Sequence, residues 1–186
     1  MRLFIAIPVT DAVKDYAALV RNEMDMNHPD VKWVEKTNYH LTLKFLGEVD
    51  PASLGEIKKR LKTVAEACPV FNISTRGLGF FPSRGRPRVI WVGVYGEMDK
   101  ADFLGERVDA YLTELGFDPE KKRSFHLTLG RIRSDLGLAE LQLKAAGVNK
   151  RGEEHSFTVD QFLLMESKLS SRGPHYSVVE SYRLEG

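Results

Sequence analysis

Cysteine is nearly absent from this chain of 186 residues, which contains only Cys68. One cysteine excludes an internal disulfide and a zinc site built from several thiolates. Cys68 lies on the apolar stripe of a predicted helix, so we expect it in the core. Long apolar runs are also missing, since a run such as residues 3–9 is far shorter than the ~20 residues that a membrane span needs. No charged and then apolar leader precedes it, so we expect a cytoplasmic protein that binds no membrane.

A strong net charge is absent as well. The chain has 27 Lys and Arg against 26 Asp and Glu, which gives a net charge of +1. Charge on the whole molecule therefore does not require a nucleic-acid partner. With 42% hydrophobic residues, the composition is typical of a globular protein that can bury a sizeable core.

The sequence does contain one tetrapeptide twice. His-Leu-Thr-Leu occupies residues 40–43 and again residues 126–129. Successive side chains of a β-strand point to opposite faces, so the leucines enter a core while His and Thr share the other face. One copy would suit an ordinary half-buried strand, but two copies favour a functional site.

Two such strands facing each other across a groove would bring two imidazoles and two hydroxyls to one phosphate. Imidazole titrates near pH 6.5, so one of His40 and His126 can accept a proton while the other donates one. The hydroxyls of Thr42 and Thr128 can donate hydrogen bonds to phosphate oxygens. A metal centre is the weaker interpretation, because catalytic zinc takes three protein ligands and each motif supplies one. The sequence predicts no metal and no cofactor.

The hydrophobic pattern predicts an α+β fold in which a strand, a helix and a motif strand recur. The spacing of the motifs, 86 residues, also lays residues 2–5 on residues 88–91. We interpret residues 1–186 as one bilobal domain with duplicated units that begin near residues 2 and 88. Two pseudo-symmetric lobes, each an antiparallel sheet with flanking helices, would enclose an active-site groove between them.

The pattern near the C-terminus predicts three further elements. Residues 136–146 have helical spacing and precede Gly147, which is typical of a helix end. Residues 157–165 and residues 176–184 are each predicted to form one strand.

Basic and aromatic residues near the motifs are candidate RNA contacts. Strand alternation points Arg131 to the leucine side unless Gly130 breaks the pattern. Arg84 and Arg86, in a loop rich in Pro, Arg and Gly, could follow an RNA backbone. Plain solvation is the alternative for these arginines. Tyr176 lies next to a polar loop and is a candidate to stack on a base.

Both motifs and their surroundings resemble the two-histidine (2H) phosphoesterases, whose hallmark is a pair of His-x-Thr-x motifs with hydrophobic x. Within them the chain looks like the RNA 2′,3′-cyclic phosphodiesterases, also called 2′-5′ RNA ligases. The resemblance rests on residues 2–7, 38–49, 125–131, 167–169 and 173–176. Neither motif departs from the family pattern.

The resemblance implies hydrolysis of a terminal RNA 2′,3′-cyclic phosphate to a 2′-phosphomonoester. It makes His126 the proton acceptor that activates water and His40 the proton donor to the departing 3′ oxygen. Thr42 and Thr128 would bind the phosphate. The reverse reaction would join such an end to a 5′-hydroxyl through a 2′-5′ linkage without ATP. The implied partner is RNA with a 2′,3′-cyclic phosphate end, tRNA fragments among the candidates, and a monomer is the default.

Two other functions stay open from the sequence. The same site could act on small cyclic nucleotides or on nucleotide-sugar cyclic phosphates, although the basic clusters favour a longer RNA. The groove could instead belong to an RNA-binding module without turnover, which predicts salt-dependent binding that survives substitution of the histidines.

Overall fold

The computed structural model describes residues Met1–Gly186 and contains nine strands and four α-helices. The strands are β1 (Arg2–Pro8), β2 (Val31–Trp33), β3 (His40–Glu48), β4 (Phe71–Phe81), β5 (Val89–Gly96), β6 (His126–Ile132), β7 (Glu154–Val159), β8 (Gln161–Ser170) and β9 (Gly173–Arg183). The helices are α1 (Asp11–Met24), α2 (Leu54–Ala67), α3 (Met98–Thr113) and α4 (Leu138–Arg151). Every helix falls short of the length or apolar character that a membrane crossing requires.

The strands form two antiparallel sheets, which confirms the predicted α+β class. The first sheet has the order β3-β1-β8-β9, and the second has the order β2-β6-β5-β4-β7. Each motif strand pairs with the strand that opens its predicted unit, β3 with β1 and β6 with β5. The sheets are not consecutive halves of the chain, because β2 and β4 join the second sheet while β8 and β9 complete the first.

The first motif strand carries a β-bulge just where the tetrapeptide ends. Ala6 of β1 lies opposite Thr42, but the preceding Ile5 lies opposite Lys44, so Leu43 is the extra residue. A bulge changes which residues of the strand face each side. Lys44 is consequently buried next to Leu43, whereas strict alternation would turn the lysine to the other face.

The second motif strand has the same bulge at the same place. Trp91 of β5 lies opposite Thr128 and Ile90 lies opposite Gly130, so Leu129 is the extra residue. Both motifs are therefore built on one backbone pattern, in which the second leucine of the tetrapeptide bulges.

The pairing corrects the alignment of the opening strands. Ile5 and Ile90 take equivalent positions beside the two bulges, so the structural offset between β1 and β5 is 85 residues. The sequence alignment of residues 2–5 with residues 88–91, at an offset of 86, is therefore wrong by one residue for these two strands. A slip of one residue matters, because it exchanges the two faces of a strand.

The predicted strand over residues 157–165 is wrong, because it is two strands in different sheets. β7 pairs with β4, and β8 pairs with β1. The chain changes sheets at Asp160, between the buried Val159 and Phe162. Apolar residues on both sides of the change hide it from the hydrophobic pattern.

The helix predicted over residues 136–146 extends further than the sequence indicated. α4 begins at Leu138, runs through Gly147 and ends at Arg151, and the φ of 63° at the following Gly152 is left-handed. A glycine at that position closes a helix without strain, because it has no Cβ. Gly147 itself sits in open space and does not end the helix.

One cluster of 39 buried hydrophobic residues joins the helices and both sheets. The motif leucines Leu41, Leu43, Leu127 and Leu129 all belong to it and are at most 2% exposed. Each buried leucine contributes about 1.5–3 kcal/mol to folding. The leucines therefore anchor both motif strands, and Cys68 is likewise a core residue.

Candidate active site

A cavity of about 470 Å³ lies between the two motif strands. His40 and Thr42 line it from β3, and His126 and Thr128 line it from β6. The structure thus brings together the four residues that the repeated tetrapeptide singles out.

His40 is held by hydrogen bonds on both ring nitrogens. Nδ1 lies 2.7 Å from the carbonyl oxygen of Asn38, and Nε2 lies 3.0 Å from Oγ1 of Thr42. In the tautomer that this network assigns, Nδ1–H donates to Asn38 and Nε2 accepts from the Thr42 hydroxyl. Burial lowers the pKa of His40, the bond to Asn38 raises it, and the positive charge of Lys14 lowers it further.

His126 has similar surroundings but is held less firmly. Burial lowers the pKa of His126, the carbonyl of Ser124 raises it, and the charge of Arg131 lowers it. Ser124 precedes His126 by two residues, as Asn38 precedes His40. The contact from Ser124 falls outside hydrogen-bond geometry, however, and the buried Nδ1 of His126 has no other partner.

Both imidazoles are neutral at pH 7 in the free protein, because both pKa values lie below the ordinary 6.5. A phosphate anion in the cavity favours the charged form of each ring and raises both values. Binding of an anion in the cavity therefore helps one histidine to take up a proton.

The pH dependence of kcat/KM follows from these directions. A mechanism with one histidine as acid and the other as base requires a free enzyme that carries one proton on two imidazoles whose pKa values lie below 6.5. We expect kcat/KM for a cyclic phosphate to peak below that pH and to fall about tenfold per unit above it. The optimum of kcat should lie at higher pH, since bound phosphate raises both pKa values. Initial rates across the range test this, and a kcat/KM that rises from pH 6 to about 8 would contradict it.

Aromatic rings pack around His40. Its ring centroid lies 5.0 Å from that of Phe4 and 5.4 Å from that of Tyr176, which meets it edge-on. These rings exclude water from the imidazole and explain the effect of burial on its pKa. Burial also raises the pKa of Tyr176, so its phenol stays protonated at neutral pH.

Different aromatic residues surround His126. Phe81 meets its ring edge-on at 5.2 Å, and Trp91 lies 6.3 Å away. The Trp91 ring packs over Gly79, where an added Cβ would come within 2.2 Å of it. Glycine at this position therefore leaves room for the indole beside the second motif.

Positive charge is concentrated around the cavity. Two glutamates line it, Glu35 and Glu120, against six cationic residues, which are Lys32, Lys44, Lys122, Arg123, Arg131 and Arg172. Lys44 and Arg123 pair with the buried Asp109, which leaves four cations against the two glutamates. The whole chain has a net charge of only +1. This local excess favours an anionic ligand.

Arg131 and Tyr176, two of the predicted RNA contacts, line the cavity. Arg131 is exposed on the same side as the motif histidine because the bulge at Leu129 shifts the alternation before Gly130. The sequence left this orientation open.

Arg84 and Arg86, the other two predicted contacts, do not line the cavity. Arg86 forms an ion pair of 2.9 Å with Asp135 and donates a hydrogen bond to the carbonyl of Arg133. Arg84 is exposed in the loop between β4 and β5.

Sequence reasoning missed other residues of the cavity wall. Phe45 has the same place after its motif as Arg131, and it is 67% exposed. Extending the comparison of the motifs beyond the tetrapeptide would have found it. Lys32 lies opposite Arg131 in the β2–β6 pairing, and no local signal reveals so distant a pairing.

No group of three or more His, Cys, Asp or Glu side chains lies close enough together to hold a metal ion. The four motif residues instead provide two proton carriers and two hydroxyl donors. Such a set can move protons to and from the oxygens of a phosphoester.

Known proteins are similar to this chain in both sequence and fold. An RNA 2′,3′-cyclic phosphodiesterase of Aquifex aeolicus is 33% identical over 189 residues, which span 100% of this chain and 98% of the relative. One of Archaeoglobus fulgidus is 36% identical over 181 residues, 95% of this chain and 96% of the relative. A crystal structure of a Thermus thermophilus protein superposes with a TM-score of 0.82 at 27% identity and covers 100% of this chain and 99% of its own.

The fold also matches that of E. coli LigT complexed with 3′-AMP, with a TM-score of 0.74, 23% identity and coverage of 100% and 98%. The family described as LigT like Phosphoesterase matches residues 7–91 and 97–176, and each of these segments contains one motif. With most of its length and both motifs inside these matches, the chain belongs to the LigT-like phosphoesterases.

Proposed function

We propose that this protein hydrolyses the terminal 2′,3′-cyclic phosphate of RNA to a 2′-phosphomonoester without a metal ion. The observation that carries the proposal is the meeting of two His and Thr pairs in one cationic cavity. Relatives over the full length of the chain are named RNA 2′,3′-cyclic phosphodiesterases, which supports the substrate class.

The reaction is one displacement at phosphorus. His126 accepts a proton from water as the water oxygen attacks the phosphorus in line with the 3′ oxygen. The bond between phosphorus and the 3′ oxygen breaks, and His40 gives its proton to that oxygen. Thr42 and Thr128 donate hydrogen bonds to the non-bridging oxygens, where negative charge builds up. The choice of the 3′ oxygen as leaving group comes from the family resemblance.

The pKa values of both histidines are lowered, so the family resemblance assigns the role of donor to His40. An imidazolium with a lowered pKa is a stronger acid, so it transfers its proton more readily to a departing alkoxide. The hydroxyl of Thr42, which bonds Nε2 in the free protein, becomes available to the phosphate once His40 is protonated.

The cationic wall supports RNA as the substrate. Lys32 and Arg131 lie directly opposite each other on β2 and β6, and like charges in that arrangement repel. Neither forms an ion pair with an acidic side chain. A backbone phosphate upstream of the reacting nucleotide would place one negative charge between them and reduce that repulsion.

The test is to incubate the protein, in EDTA, with an RNA oligonucleotide that ends in a 2′,3′-cyclic phosphate. The expected product ends in a 2′-phosphate and forms at the same rate with and without EDTA. Loss of activity in EDTA, or a 3′-phosphate product, would contradict the proposal. Salt-dependent binding without any product would favour the RNA-binding module instead.

The same assay separates RNA from smaller substrates. A 2′,3′-cyclic mononucleotide is compared with two linear dinucleotides that each end in a 2′,3′-cyclic phosphate. In one dinucleotide the nucleosides are joined by an ordinary phosphodiester, and in the other by an uncharged methylphosphonate. We expect the highest kcat/KM for the charged linkage. Equal values for all three would favour the small cyclic phosphates. Ligation to a 2′-5′ linkage, tRNA-derived substrates and a monomeric state stay predictions.

A further inference from the structure

A buried carboxylate connects the chain segments next to the two motifs. Asp109 of α3 accepts from Nζ of Lys44 at 2.7 Å through Oδ1 and from Nη2 of Arg123 at 2.6 Å through Oδ2. Lys44 directly follows the first motif, and Arg123 lies shortly before His126. One side chain of α3 therefore holds both segments.

The three side chains are almost fully out of water. Exposure is 2% for Lys44 and 10% for both Asp109 and Arg123. Burying ions is unfavourable, and packed apolar side chains of similar volume often stabilise a fold equally well or better. Stability alone therefore does not account for a charged cluster here.

The cluster also fixes the loop that leads into β6. Nζ of Lys44 donates to the carbonyl of Asp118 at 2.5 Å, and the backbone N–H of Glu120 donates to Oδ2 of Asp109 at 3.1 Å. Arg123 then joins the same carboxylate. The loop is tied to α3 and to the first motif strand over its length.

Arg123 fits against α3 because residue 105 is glycine. Its guanidinium donates to the carbonyl of Gly105 at 3.1 Å. A Cβ on residue 105 would come within 2.0 Å of the Nε of Arg123. The helix surface is therefore shaped to receive this arginine.

The position of this loop determines the surroundings of His126. Ser124 follows Arg123, and its carbonyl is the group that faces the otherwise unpartnered Nδ1 of His126. The two motif strands belong to different sheets and share no backbone pairing. The relative position of the two imidazoles thus depends on contacts between side chains.

From these contacts we infer that Asp109, Lys44 and Arg123 form a positioning unit that sets the place of His126 relative to His40. The inference rests on the proposed function and adds to it a reason for the alignment of acid and base. Lys44 and Arg123 reach the cavity wall, but both direct their charge to Asp109. A misplacement of about 1 Å in an active site can lower a rate by about 10²-fold.

The first test is Asp109→Asn, which keeps the size of the side chain and removes its charge. We expect kcat to fall about 10-fold to 10²-fold with a smaller change in KM. NMR titration should show a changed pKa for His126 and an unchanged one for His40. The matched control is Arg151→Met, which breaks an exposed ion pair of 2.8 Å with Glu23 and should change neither kcat nor the titrations.

The second test replaces the whole cluster with Lys44→Met, Asp109→Leu and Arg123→Met together. No buried ion is left unpaired, so we expect a folded protein with a Tm at least equal to that of the wild type and with low kcat. Wild-type kcat in the folded triple variant would overturn the inference. If that variant does not fold, unchanged kcat and His126 titration in Asp109→Asn would overturn it. NMR titration needs no turnover, so an inactive wild type would reject the proposed function and still leave the positioning role testable.

Discussion

Replacement of His126 by Ala, or of His40 by Ala, is expected to lower kcat on a cyclic phosphate by about 10²-fold to 10⁴-fold. Each substitution removes one partner of the proton transfer and leaves the two hydroxyls in place. Single-turnover rates measure the loss directly. His28→Asn is a matched control, because this imidazole is exposed, does not line the cavity and has a φ of 47° that suits asparagine.

The double variant, with both histidines replaced, tests whether the two residues act in one step. Groups that act as a unit lose most of their effect with the first substitution. We therefore expect the double variant to be about as slow as the slower single variant. A loss equal to the product of the two single losses would contradict concerted transfer. Unchanged rates in both single variants would rule out the two-histidine mechanism itself.

Thr42→Val and Thr128→Val are expected to lower kcat by about 10²-fold to 10³-fold each, with little change in stability. Valine has nearly the shape of threonine, so the loss reports the hydroxyl. That hydroxyl meets charge that is larger in the transition state than in the bound substrate, so kcat should fall more than KM changes.

Threonine to serine at the same positions provides the control. Serine keeps the hydroxyl and loses a methyl group, so Thr42→Ser and Thr128→Ser should retain most of the activity. If the valine variants stay within about twofold of the wild type, the hydroxyls do not bind the reacting phosphate. If the serine variants are as slow as the valine variants, the methyl contacts on the strand matter more than the hydroxyls.

Strand alternation predicted the histidines and threonines of the site but not the other residues that line the cavity. His40 and Thr42 share a face because they are two residues apart on one strand, and the sequence alone shows that spacing. The same rule extended by three residues fails, because it predicts an exposed Lys44 and a buried Phe45. The bulge at Leu43 reverses both, so Lys44 is 2% exposed and Phe45 is 67% exposed. The bulge at Leu43 depends on how β3 pairs with β1, and the tetrapeptide does not encode that pairing.

Long-range pairing explains the other misses. The charged cluster at Asp109 needs β3 to meet α3 and the loop that follows α3, and Lys44 lies 65 residues before Asp109 in the chain. The change of sheets at Asp160 depends on where β7 and β8 find partners. Hydrophobic periodicity reports that a segment is buried, but it does not report which sheet buries it.

The two motifs share one bulged backbone pattern. The orientation of a bound nucleotide must therefore be set by residues outside the tetrapeptides. Beyond the bulge, one strand offers the ring of Phe45 and the other offers the cation of Arg131. An ion with no head or tail, such as inorganic phosphate, meets one His and Thr pair from each motif strand. A nucleotide has unlike ends, and only the unlike residues outside the tetrapeptides can tell those ends apart. In the proposed mechanism, the residues beside the two motifs would therefore decide which histidine gives the proton and which takes it.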